Sequence, residues 1–150
     1  GANVKFTTGP FSLALAGWLG ENSQASSFLN GAVDRGVIGP FIWDASGDGF
    51  NDTVADTDDW GAYITATFKL NDMVSFAAGG GLLEQDINAN NQNWENEAAS
   101  WYVNSTITVA EGFNIKPEIG EFMYGDSIIA DEPRDQGDQL YYGIWWQMNF

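Results

Sequence analysis

The 150-residue chain has no cysteine and no histidine, and only five basic residues: Lys5, Arg35, Lys69, Lys116 and Arg134. Without cysteine there is no disulfide framework and no thiolate metal site. Without histidine there is no Ser-His-Asp triad, no His-ligated zinc and no imidazole base. Phosphate binding needs clustered Lys or Arg, and a formal net charge of −16 argues against nucleic acid and against docking on anionic lipid. No run of eighteen apolar residues occurs, so no transmembrane helix is expected. That test is blind to membrane strands, whose alternating residues average to neutral hydropathy. No secretory leader is visible at the start, which reads as a mature chain or one lacking its beginning.

What the chain has is alternation. The last twelve residues read Q-L-Y-Y-G-I-W-W-Q-M-N-F. Leu140, Tyr142, Ile144, Trp146, Met148 and Phe150 fall on one side; Gln139, Tyr141, Gly143, Trp145, Gln147 and Asn149 fall on the other. This predicts a strand with one apolar and one mostly polar face. Six further segments alternate in the same way, at residues 3–8, 11–20, 60–70, 73–85, 99–109 and from 113 onward. Along the sixth, Phe113, Ile115, Pro117 and Ile119 share one parity, and Phe122 and Tyr124 take the other, so a bulge is expected near Gly120. Connections alternate short and long. Gly9-Pro10, Asn71-Asp72 and Glu111-Gly112 are tight turns, and residues 21–59, 86–98 and 125–138 are longer, acidic connections.

The terminal strand resembles that of Gram-negative outer-membrane β-barrels, which ends in an aromatic residue and serves as the assembly signal. The stretch F-N-I-K-P-E-I-G at 113–120, an acidic loop and Y-Y-G-I-W-W-Q-M-N-F resemble the ending of a porin. The resemblance implies an all-β, antiparallel transmembrane β-barrel with short periplasmic turns and long extracellular loops, 21–59 being the longest. It implies a place in the cell outer membrane, contact with its lipid, delivery by the barrel-assembly machinery through Tyr142, Ile144, Trp146, Met148 and Phe150, and a possible homo-oligomer. The implied function is a water-filled channel for passive diffusion of small hydrophilic solutes or ions, with no catalytic residue. Seven strands is an odd number, whereas single-chain bacterial barrels have an even one. The 1–150 region is therefore expected to be the C-terminal part of a larger barrel. Making residues 37–43 an eighth strand is the alternative parse, interrupted by Gly39-Pro40. Two rival functions stand beside the porin: a small closed eight-stranded barrel with a structural or adhesive role, and a soluble, secreted, calcium-binding β-sandwich.

The polar faces supply the candidate pore lining: Lys5, Tyr63, Thr65, Thr67, Lys69, Tyr102, Asn104, Thr106, Lys116 and Glu118. The three lysines would form an anion-favouring patch, partly offset by Glu118, or simply reach the aqueous edge near the turns. The segment D-A-S-G-D-G-F-N-D at 44–52 spaces Asp44, Ser46, Asp48 and Asp52 as a calcium loop does, with Gly49 at the sharp turn. Ala55 stands where a bidentate glutamate would close the loop, and no helices are expected beside it, so it is not an EF-hand; no cofactor is required, and hard oxygen ligands at alternate positions leave Ca²⁺ open. Two readings stand, a Ca²⁺ site of hard oxygen ligands and a solvated acidic turn. The pairs Asp58-Asp59 and Asp131-Glu132 are expected in exposed loops, where nothing would tune them for catalysis.

Overall fold

The computed structural model describes residues 1–21, 41–43, 53–55, 57–89, 92–129, 132–135 and 137–148. All their regular structure is β. Seven strands form one antiparallel sheet that runs through the chain as a meander: β1 (Ala2–Thr8), β2 (Phe11–Glu21), β5 (Thr57–Lys69), β6 (Val74–Ala89), β7 (Gln92–Ala110), β8 (Phe113–Tyr124) and β11 (Asp138–Met148). Two short hairpins lie in the connections, β3 (Phe41–Trp43) with β4 (Thr53–Ala55), and β9 (Asp126–Ile129) with β10 (Glu132–Asp135). The large sheet is not closed, with β1 and β11 as its edges.

All seven alternating segments are thus strands, and each tight turn has a local cause. Gly9 has φ 55°, the left-handed value that a two-residue hairpin places first, and Pro10 follows with its fixed negative φ. At the second turn the Asn71 side-chain Oδ1 accepts hydrogen bonds from the backbone N–H of Met73 and of Val74, both 2.8 Å, a side chain replacing a backbone turn. At the third, Gly112 has φ 76°.

Four expectations need correction. The bulge lies not near Gly120 but at the β7–β8 turn, where the register shifts between Thr108 and Ala110. Register is continuous through Gly120 on both sides, so Glu121 and Met123 continue the parity of Ile119. Phe122 and Tyr124 therefore belong to the polar face, where Phe122 stacks on Tyr141 with centroids 5.3 Å apart. The carboxylate that broke the pattern, Glu121, accepts a 2.9 Å hydrogen bond from the Trp101 indole N–H beside it.

Residues 86–98 are not a long loop. β6 and β7 continue pairing as far as Ala89 and Gln92, so a hairpin extends beyond its neighbours. Asp58 and Asp59 are likewise not loop residues but part of β5, with Asp59 buried. The eighth-strand parse fails as well: Phe41–Trp43 pairs with Thr53–Ala55 and does not join the large sheet.

Register assigns every strand residue to a face. One face carries Leu15, Ile64, Trp101 and Leu140 in one cross-strand row, and Leu13, Val103, Ile119 and Tyr142 in the next. This apolar face is uncovered, with Ile64 46%, Val103 47%, Ile144 73% and Tyr142 84% exposed. The buried described residues are Asp59, Gly61, Leu83, Gln85, Ala98, Asn104 and Gly120, and all of them lie on the opposite, polar face. In water this distribution would forfeit roughly 25 cal/mol for each Å² of apolar surface left open.

Candidate functional site on the polar face

The ten pore-lining candidates do share one face. A single row crosses all seven strands as Lys5, Ala14, Thr65, Gly79, Tyr102, Gly120 and Tyr141. The next row toward the tight turns reads Thr7, Ser12, Thr67, Ala77, Asn104, Glu118 and Gly143. Tyr63 lies one row to the other side, and Lys69, Thr106 and Lys116 one row closer to the turns.

Large rings lie over glycines in this surface. Trp18 stands opposite Gly61, and Tyr102 and Tyr141 both flank Gly120, with Gly79 on the far side of Tyr102. A Cβ added at Gly61 would run into the Trp18 ring, and one at Gly79 would sit 2.7 Å from Tyr102 Cε1. The rings therefore lie down along the sheet, and Tyr102 OH reaches Thr65 Oγ1 at 2.9 Å. Trp18, Tyr141 and the three glycines were not among the sequence candidates. Parity alone places Trp18 and Tyr141 on this face, but the glycine shelves need cross-strand register.

Glu118 is the hub of the polar face. Its Oε2 accepts from Asn104 Nδ2 at 2.9 Å and lies 3.4 Å from Lys116 Nζ, while its Oε1 accepts from Tyr141 OH at 3.3 Å. Its side chain is 15% exposed, so these partners replace water it has largely lost. Near the turn, Thr108 Oγ1 donates to Asn114 Oδ1 at 2.8 Å.

The three lysines do not converge. Lys116 pairs with Glu118, and Lys69 pairs with Asp72 at 2.7 Å in the β5–β6 turn. Lys69 and Lys116 lie three strands apart, about 14 Å at the usual strand spacing, and Lys5 stands further off on the edge strand β1.

The fully exposed Asp72 carboxyl titrates below the usual carboxylate range, because Lys69 hydrogen-bonds it and adds its positive charge. Its folded-state pKa is thus depressed. The contribution of the pair is present above the unfolded-state value and is lost as pH falls through the folded one. A carboxyl NMR titration is expected to return the Asp72 midpoint upward to the ordinary range in Lys69→Gln; an unchanged midpoint would remove Lys69 as the cause.

Of the residues expected to form an assembly signal, Tyr142, Ile144, Trp146 and Met148 are on the apolar face of β11 and exposed. Phe150 lies outside the described residues, as do Asp44, Ser46, Asp48 and Asp52. Among the described residues no group of three acidic side chains is placed to hold a metal ion. Comparison with protein families, curated proteins and solved structures finds nothing that matches this chain.

Proposed function

We propose that this chain supplies seven strands of a transmembrane β-barrel in a Gram-negative outer membrane, with the polar face lining a water-filled channel for small hydrophilic solutes or ions. The observation that carries this reading is the inverted burial: the apolar face is open and the polar face holds the buried residues. Hydrocarbon is the solvent that makes such an arrangement favourable. A sandwich would bury the apolar face against a second sheet, and among the described residues nothing covers it.

The dimensions support the same reading. Starting from the tight-turn end, the apolar face is free of charge over residues 11–19, 60–68, 74–82, 99–107 and 140–148, nine residues in each strand. Nine tilted residues rise about 23 Å, close to the apolar band of outer-membrane barrels. The next residue of that face is then a carboxylate in every case: Glu21, Asp58, Glu84, Glu97 and Asp138. On β8, Glu121 lies further in, between Trp101 and Leu140, where the Trp101 indole N–H hydrogen-bonds it.

The open edges β1 and β11 run in the same direction, because they are the first and seventh strands of an antiparallel meander. Antiparallel closure therefore requires an odd number of additional strands, and unpaired backbone groups cannot face lipid. The porin reading takes these as further strands of the same polypeptide, so that the sheet belongs to a larger barrel.

Channel recordings of the complete protein in planar bilayers test the reading. Defined unitary steps are expected. Glu118→Gln removes the countercharge of Lys116, so the reversal potential under a salt gradient should move toward anion preference. Absence of steps would overturn the channel reading.

A further inference from the structure

On the apolar face, at the end of its charge-free band, lies a cavity of about 420 Å³ lined by Trp60, Leu82, Glu84, Glu97, Ala99 and Met123. Trp60, Glu84 and Glu97 form one cross-strand row, and Leu82, Ala99 and Met123 lie in the adjacent row of the same face. Leu83, Ala98 and Tyr124 come between them with the opposite parity, so strand backbone forms the floor. The groove belongs to β5–β8, interior strands paired on both sides, and pairing at the open edges leaves it unfilled. We propose that it docks a basic amphipathic segment of a partner protein lying in the membrane interface, a proposal that rests on the apolar face being the one that meets lipid.

Depth is the first argument for that occupant. Leu82 and Ala99 are the last residues of their apolar stretches, and Glu84 and Glu97 are the next on that face. The groove therefore straddles the boundary between hydrocarbon and water. An interfacial amphipathic helix buries its apolar side roughly 5–10 Å below the head groups and keeps its lysines above. The floor is open to it: Trp60 is 37% and Leu82 45% exposed. Ala99 is small, and Gly125 beside Glu97 has no side chain.

Charge is the second. Glu84 and Glu97 are direct cross-strand partners, with Cβ atoms roughly 5 Å apart at the usual spacing. Among the described residues neither carboxylate has a hydrogen bond or ion pair, and Lys5, Lys69 and Lys116 all lie on the other face. The facing pair Asp58 and Asp86 adds its charge one row further out. Like charges opposite each other destabilise a sheet. A Lys or Arg set between Glu84 and Glu97 offsets that repulsion and gains charge-assisted hydrogen bonds. An anionic lipid head would meet four carboxylates, and a second copy would bring a formal charge of −16 against −16. The same field steers a basic partner in.

Fluorescence anisotropy on the complete protein in nanodiscs of zwitterionic lipid tests the proposal, with a labelled Leu/Lys amphipathic helix as ligand and a Leu/Glu helix as its counterpart. Binding of the Leu/Lys peptide above that of empty discs is expected. It should weaken about tenfold when Glu84→Gln and Glu97→Gln are combined. It should weaken comparably in Ala99→Trp, which fills the floor and keeps the charges, and stay unchanged in Glu111→Gln at the opposite end. No excess over empty discs, equal binding of the Leu/Glu helix, or full binding by Ala99→Trp would each overturn the docking site. Retention of phosphatidylglycerol with Ca²⁺ in place of the peptide would assign the groove to lipid and overturn it as well. Incorporation into discs without peptide binding removes the docking site and leaves the membrane reading. A protein that stays in water and does not enter the discs removes both.

Discussion

Arginine in place of Val103 is expected to destabilise the membrane-inserted protein by about 2–4 kcal/mol, the cost of a cation on the lipid face near the bilayer midplane. Val103 sits mid-band on the apolar face of β7, is 47% exposed, and lies between Ala78 and Ile119 in the cross-strand row. No carboxylate neighbours it in that row. The informative comparison is Thr67→Arg, one residue from the apolar face but pointing to the other side of the sheet. If that side is wet, the arginine stays hydrated and the effect should remain within about 1 kcal/mol. Reversible denaturant unfolding in lipid vesicles reads both variants. Equal losses at the two positions would mean that both faces meet the same solvent, and the membrane reading would fall with the asymmetry.

The second large effect concerns the glycine shelves. Gly61→Ala and Gly79→Ala are each expected to cost about 1–3 kcal/mol by overpacking, yet they should respond differently to a second change. At Gly61 the three nearest atoms all belong to the Trp18 side chain. Removing that ring in Trp18→Ala should abolish most of the alanine penalty. At Gly79 the new Cβ would also lie 2.7 Å from the backbone oxygen of Ile64, so Tyr102→Ala should leave much of the cost in place. A double-mutant cycle for each pair measures the difference. Strong rescue at both sites would show that the sheet backbone gives way more easily than the Gly79 geometry requires.

The strands were legible in the sequence because nine residues of strict alternation, closed at one end by Gly9-Pro10, Asn71-Asp72 or Glu111-Gly112, leave little freedom for another period. The face of each candidate lining residue was legible for the same reason. The extension of β6 and β7 was not, since the face that is apolar up to Leu82 turns polar at Glu84, Asp86 and Asn88, which ends the alternation. Phe122 and Tyr124 suggest a bulge near Gly120 only if large aromatic side chains keep to the apolar face, which they do not. Their true side follows only from pairing with Gln139 and Asn104's strand, which keeps Glu121 next to Trp101. The proximity of Lys116 to Glu118 was readable as two residues on one face. That Asn104 and Tyr141 complete the hub depends on the registers of three strands, which a single sequence does not encode locally. The lysines illustrate the limit most plainly: shared parity placed them on one face, but three intervening strand spacings and two ion pairs keep them from acting together.

On the membrane reading proposed above, the five carboxylates that follow the nine-residue apolar stretches would work as a depth gauge. Sliding the sheet toward the tight-turn side by two residues would draw Glu21, Asp58, Glu84, Glu97 and Asp138 toward hydrocarbon together. The penalty would arise on five of the seven strands at once, so vertical position would be fixed collectively and would not depend on any single anchor. A thicker bilayer would then have to thin around the protein, because neither tilting nor sinking would be open to a sheet whose rim is charged on most of its strands.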